Sequence, residues 1–590
     1  MKKNFKSLLA LLLCVCELFT GCGISHLGNG TINQDSSTSA TTEFDDITRE
    51  WFKSQMSEDL LSCHFSLENP ASFGISTDDT TFSELSYHAF QQSQKEKRAF
   101  LKELKSVSYH NLPHRSQLVY DILCHYYSLQ GDFDDSYYYS DPLSPNSGIP
   151  VSLPVLLSTY RFQNKEDIQN YFSLLNDVDI YFQQLYLFAK EKNQKGLLGD
   201  NLCLKKTASF CNEFAENKSN HMLLTSFQER INQCDFLSSS EKRKYISKNK
   251  TLIYDVVIPS YLSLSKKISS LTVNDPSDLC LCRRPDGHRY YRALVKDATG
   301  CDDTPFLLFQ RIEKRRKEDM EHLTSLFSSY PSLATTISNY DCPLKTPEEM
   351  IEVLKSSMVN AFPATQDVTV QISKISPQVE AYSAPAFYLI APLDNPNVHQ
   401  IFYSTTAYPH SLDLFTTMAH EGFPGHLYQT CQTYRFGYEP VRLLLSYPGF
   451  VEGWATYVEM ESYQYAGLPF EVATALSLNQ SITLSLYASA DIGVHFYGWT
   501  RDELLQFLSL YGINDKTTIS QIYELILSDP ANYLKYYVGY LNFIDLKKEC
   551  QKRYPDTFTP MNFHKYILQT GPCSFPILRK EVLYQFDNNA

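Results

Sequence analysis

A mainly α fold with a small β-sheet is predicted by three features of the 590-residue sequence. From about 46 to 350, apolar residues recur at three- and four-residue spacing, as in QSQKEKRAFLKELKSV and NKEDIQNYFSLLNDVDIYFQQLYLFAKEKN, the period of an amphipathic helix. Three runs rich in β-branched and aromatic residues follow, VTVQISKI (368–375), PAFYLIAPL and HQIFYST, and these read as strands. After about 409 the spacing is helical again and stays so. No repeat with a period of roughly 20–50 residues is present, which argues against a solenoid.

The elements can be taken in chain order. Lys2, Lys3 and Lys6 precede a short apolar run, SLLALLLCVCELF, and then FTGC. A charged flank on a run this short fits an export signal rather than a lasting transmembrane helix. Thr20 and Gly21 before Cys22 resemble the bacterial lipobox, whose cysteine is lipidated and becomes the new N-terminus; Glu17 and Phe19 depart from that pattern. The expectation is a lipoprotein signal over 1–21 with lipidation at Cys22, the alternative being a plain secretory signal cleaved nearby. No other segment approaches the roughly 18 apolar residues of a membrane span, so an extracytoplasmic protein, lipid-anchored to a bacterial membrane, is expected. Residues 22–45 are small and polar and read as a flexible tether.

The rest is long enough for a large core and divides into a helical region, 46–360, and a region bearing the candidate site, 361–590. A net charge of −14 without basic runs argues against nucleic acid as a partner, since phosphate binding needs clustered Lys and Arg. Twelve of the 15 cysteines follow Cys22; some could pair in an exported protein, but a chain of this size does not need disulfides. Cys280 and Cys282, in CLC, are too close and too few to build a zinc site alone and read as buried or loosely paired thiols.

Chemistry concentrates in MAHEGFPGHLYQ, 418–429. A helix is expected to lead into it, with Ser411 as N-cap and Leu412, Phe415 and Ala419 on its buried face. His420 and Glu421 match the start of the helical H-E-x-x-H zinc signature, but His426 comes six residues after His420 rather than four. On one regular helix the two imidazoles would stand about 240° apart around the axis and roughly 9 Å apart along it, too far to share an ion bound at about 2.0–2.1 Å. Gly422, Pro424 and Gly425 change this, because Pro removes a donor and Gly tolerates unusual dihedrals. A bulge at GFPG would return His426 to His420; the alternative is a helix ending at Gly422 with His426 as a surface cap.

A third ligand is offered by FVEGWATYVEMES, 450–462, where Glu452, Thr456 and Glu459 share one helical face. Two imidazoles, one carboxylate and an open water position make a catalytic zinc sphere. His420, His426 and Glu452 are therefore the candidate ligands for one Zn²⁺ ion, with Glu459 as a supporting partner and Glu421 as general base. An oxyanion would need a further donor. Tyr487, Asp491 and His495 fall at steps of four, so Asp491 could orient the His495 ring, the alternative being a satisfied core pair. Tyr533, Tyr536, Tyr537 and Tyr540 crowd DPANYLKYYVGYL, and periodicity selects none of them.

Taken together, HEGFPGH…Q (420–429), EGWATYVE (452–459), DIGVHFYGWTRDE (491–503) and PANYLKYYVG (530–539), with DPLSPNSGIPVSLP and PDGHRYY upstream, resemble the bacterial family catalogued as domain of unknown function 885. The resemblance spans nearly all of the chain after the export signal. It implies a zincin-like, mainly helical metallopeptidase with His420, His426 and Glu452 on zinc, Glu421 as base, and His495 and Tyr536 as transition-state donors. Ala531 and Asn532 depart from it, standing where Gly and Gln are common.

The expected function is zinc-dependent hydrolysis of peptide bonds in short peptides by an exported, lipid-anchored enzyme. The alternatives are a metal-dependent amidase acting on cell-wall peptides and a non-catalytic peptide-binding lipoprotein. No G-x-S-x-G elbow or phosphate-binding glycine loop with its lysine occurs.

Overall fold

Amphipathic stretches become helices where local chemistry starts and stops them. In the computed structural model, residues 36–77, 80–198, 201–216, 220–271, 280–375, 380, 384–408 and 410–588 are described. The export signal, Cys22 and the first part of the tether lie outside them. The tether's second part is not a tether: helix α1 (Ser36–Met56) already runs through it. Ala40 and Phe44, four residues apart, are buried in the main core, so two apolar residues in a polar segment suffice to dock a helical turn. Further on, α2 (Lys165–Gln194) is set by a capping box between Asn164 and Asp167 and buries Ile168, Phe172, Leu175 and Phe182 on one face.

The molecule is mainly helical with one small sheet. Strands β1 (Thr369–Lys374), β2 (Ala386–Leu389) and β3 (Val398–Tyr403) lie in the order β1-β3-β2. β1 is parallel to β3, with Thr369 opposite Val398, and β2 is antiparallel to it, with Ala386 opposite Tyr403. Successive side chains on a strand point to opposite faces, and here each face meets a different core. Ala386, Tyr388 and Ile401 belong to the main core; Phe387, Leu389 and Phe402 pack on a second core built chiefly from 143–268.

That partition corrects the expected boundary at 360. Residues from 40–127 and 281–362 share the main core with residues from 386–586, whereas 143–268 form the separate lobe. Periodicity reveals which face of a helix is buried but not which distant helix covers it.

Five helices shape the candidate site: α3 (Ser411–Glu421), α4 (His426–Arg435), α5 (Pro448–Ser462), α6 (Phe470–His495) and α7 (Asn532–Arg553). Helices α5 and α7 cross through glycines. A Cβ on Gly453 would stand 2.4 Å from the Gly539 carbonyl carbon, and one on Gly539 would stand 2.1 Å from the Gly449 oxygen. Backbone therefore meets backbone, so the helices that carry Glu452 and Tyr536 pack at close approach. The twelve described cysteines form no disulfide. Among the described residues, no helix is long and apolar enough to cross a membrane.

Candidate metal centre

The late histidine returns through a break, not a bulge. Helix α3 ends at Glu421 and α4 begins at His426, so the four residues between them form a turn and two separate helices carry the two imidazoles. Its N-cap is His410, with Ser411 as first helical residue. The Phe423–Pro424 peptide is cis. A Cβ on Gly425 would lie 1.8 Å from the His420 carbonyl oxygen, and one on Gly422 would lie 2.5 Å from Ile351 Cδ1; only glycine permits this close return. Trp454 on α5 donates its indole N–H to the Pro424 oxygen at 2.9 Å, so the helix carrying Glu452 also clamps the turn.

The result is convergence. The rings of His420 and His426 are 4.8 Å apart and nearly perpendicular. Glu452 Oε2 lies 3.5 Å from His420 Nε2 and 3.6 Å from His426 Nε2. Ligands at the corners of a tetrahedron around zinc, bound at about 2.1 Å, sit about 3.4 Å apart. All three side chains are buried, and His420 Nε2, His426 Nε2 and both Glu452 oxygens lack a hydrogen-bond partner. Buried polar atoms are rarely left so, and four facing one another need a common partner. These residues fit a metal ion in spacing and in donor chemistry.

Electrostatics agree. Burial alone would raise the Glu452 carboxyl, but the adjoining His420 and His426 imidazoles and Lys535 hold it below the usual carboxylate range. Burial opposes protonation of His420, but Glu452 and Glu459 outweigh it and raise that imidazole well above its ordinary value. Glu459 Oε2 lies 2.9 Å from His420 Nδ1. A carboxylate accepts, so Nδ1 donates to Glu459 and Nε2 is the nitrogen that faces His426 and Glu452, where a bound metal ion would replace its proton; this is the carboxylate–histidine arrangement that orients metal ligands.

His420, Glu421 and His426 also offer atoms within 4.8 Å of one another, so Glu421 could compete with Glu452 for the third position. The hydrogen bonds decide between them. Glu421 Oε2 accepts the Tyr388 backbone N–H at 2.9 Å, while the oxygens of Glu452 accept none. Glu452 is the better ligand, and Glu421 is held by β2 at the side of the cavity. That cavity is lined by His420, Glu421, Glu459 and Tyr536 together with Thr456 and Gln480. The Tyr536 ring centre lies 6.4 Å from that of His420, and this placement singles it out among the four tyrosines of the segment.

His495 departs from expectation. Its Nδ1 accepts the Leu281 N–H at 3.4 Å and its Nε2 donates to the Ile526 oxygen at 2.8 Å. Both nitrogens are held by backbone, and neither is left for a substrate. Asp491 does not orient it: Asp491 Oδ1 accepts the Tyr291 hydroxyl at 2.5 Å and the Ala531 N–H at 3.1 Å. Ala531 has φ 66°, a left-handed conformation that favours glycine. Asp491 thus fastens the turn from which α7 carries Tyr536. Tyr487 stacks on Tyr533, centroids 4.9 Å apart, in a satellite core.

The Tyr388 amide, Gln480 and the Trp454 clamp were not foreseen. A backbone N–H carries no residue signature, and Gln480 stands in no pattern with the histidines.

Fold and site together define a class: a mainly helical protein whose buried histidines and carboxylates could hold one metal ion. The chain belongs to the family described as bacterial protein of unknown function (DUF885), which matches residues 68–582. Among solved structures it is similar to "the putative lipoprotein from Colwellia psychrerythraea", with 17% identity, TM-score 0.79, and coverage of 93% of this chain and 99% of that one. It is also similar to "a putative lipoprotein of unknown function from Shewanella oneidensis", with 14% identity, TM-score 0.60, and coverage of 93% and 100%. At such identities the likeness is one of fold. No curated protein matches the chain.

Proposed function

We propose that the protein is a zincin-like metallopeptidase that hydrolyses peptide bonds in short peptides, exported and lipid-anchored through Cys22. The observation that carries this reading is the set of four buried, partnerless atoms on His420, His426 and Glu452, spaced 3.5 and 3.6 Å across the carboxylate. His420, His426 and Glu452 would hold one zinc ion, which when bound supplies an acidic water and an electrophile for a carbonyl. Glu421 takes the proton of the attacking water and returns it to the departing amine nitrogen. The Tyr388 N–H fixes the carboxylate for that transfer, Glu459 fixes the His420 tautomer, and the Tyr536 hydroxyl donates to the oxyanion. The cavity beside the candidate ligands, walled by Glu421, Gln480 and Tyr536, is where a short unfolded peptide would be held. The lipid anchor rests on the lipobox-like segment before Cys22 and on the descriptions of the two similar structures.

The test is elemental analysis of the purified protein, followed by mass spectrometry of a peptide-mixture digest beside a digest of cell-wall fragments. One zinc per chain and chelator-sensitive cleavage of peptides are expected. A metal-loaded protein that cuts only cell-wall amides, or a protein that takes up no metal, overturns the reading.

A further inference from the structure

Far along the chain from the candidate ligands, two thiols are built to meet. Cys280 Sγ and Cys282 Sγ lie 3.2 Å apart, on a one-turn segment whose two ends are fixed. Leu281 between them donates its N–H to His495 Nδ1, and its carbonyl packs so closely on Gly287 that a Cβ there would come within 1.6 Å. On the far side, Arg283 Nη2 donates to the Gly498 oxygen at 3.0 Å, and Cys282 Sγ would stand 3.1 Å from a Cβ on that glycine. Gly498 has φ 76°, a second reason for glycine at this place. Cys280 is buried in the satellite core and Cys282 is half-buried at its edge.

Two chemistries join thiols this close. Thiolates on one tetrahedral zinc, bound at about 2.3 Å, sit about 3.8 Å apart, farther than these. Moreover, the one group of three or more metal-ligating side chains found among the described residues is that of His420. A disulfide needs the sulfurs to close to about 2.05 Å, a movement of about 1.2 Å along the existing contact. The intervening residue limits the Cα separation to about 7 Å, near the upper end of the disulfide range.

We infer that Cys280 and Cys282 are a redox pair that closes to a Cys-x-Cys disulfide by exchange with a small-molecule disulfide, clipping the segment beneath the C-terminal end of α6. Cys282, the more accessible thiol, attacks as its thiolate and displaces one thiolate from the small disulfide. Cys280, already in contact, then attacks the Cys282 sulfur and displaces the second. Two protein thiols lose their protons and two electrons; the small disulfide gains both and leaves as two thiols. The pair stands independently of the metal reading.

Trypsin makes the test direct, because cleavage after Lys267 and Arg283 leaves both cysteines, and no other, on one peptide. The full chain is equilibrated in reduced–oxidised glutathione mixtures, quenched in acid, denatured, alkylated and digested. In the oxidised mixtures the 268–283 peptide should be unalkylated and lighter by two hydrogens, with two thiols fewer per chain, and Cys282→Ser should abolish that species. Cys301→Ser, on a separate segment, should leave it unchanged. A peptide alkylated twice at every ratio, or a glutathione adduct that persists on Cys282 without closure, overturns the inference.

Discussion

Two buried clusters pair histidine with acid in this molecule, and they differ in what their polar atoms face. Around His420 the Nε2 atoms of His420 and His426 and the Glu452 oxygens converge without hydrogen-bond partners. Around His495 both ring nitrogens bond to backbone and the nearby acid fastens a turn. Residue type and burial are alike in the two. The accounting of donors and acceptors separates imidazoles able to bind something from an imidazole already satisfied.

Removal of one convergent atom should have the largest effect. His426→Ala leaves two of the three candidate ligands, and elemental analysis should find zinc lost along with peptide cleavage. Glu421→Gln keeps the ligands and removes the proton acceptor, so zinc should remain while kcat/KM falls by about 10²–10⁴; undiminished turnover would show that Glu421 is not the base. Glu459→Gln should loosen the tautomer lock on His420 and weaken metal affinity by about 10–100-fold, read by competition with a chelating dye.

The other cluster should answer differently. His495→Ala strands the Leu281 N–H and the Ile526 carbonyl, at about 1–3 kcal/mol of stability in a urea titration, with zinc content and turnover per folded molecule unchanged. The smallest effect is one of pH. Burial raises the Asp491 carboxyl from 3.8 to about 8, so across that window the unfolded chain gives up a proton that the folded chain keeps. The contribution of Asp491 is full below the window and is lost as pH rises through it. Asp491→Asn should flatten that decline in unfolding midpoints. His495 has the opposite sign: burial lowers it from 6.5 to about 4, and its contribution is lost as pH falls through that interval.

Much of this was legible in the sequence. The three strands, the helices and the approach of His420, His426 and Glu452 all followed from period, composition and the helix-breaking GFPG. The form of the break was not legible, because Gly-Phe-Pro-Gly licenses both a bulge and a two-helix turn, and the choice rests on Trp454 reaching Pro424 from another helix. Nor was the role of His495, whose partners are backbone groups of Leu281 and Ile526 that any residue could supply. The boundary placed at 360 missed a related pairing: α1 packs on the single turn Pro440–Leu444, nearly four hundred residues later. What the sequence hides is tertiary pairing, above all where the pairing group is the main chain.

The sheet has a mechanical consequence. β2 presses Phe387 and Leu389 into the 143–268 lobe while the Tyr388 amide on the same ribbon grips the carboxylate of Glu421. A strand resists stretching, so a displacement of the lobe along β2 would pull on the Glu421 carboxylate. One peptide unit serves as a tie rod between the bulk of the lobe and a single oxygen atom.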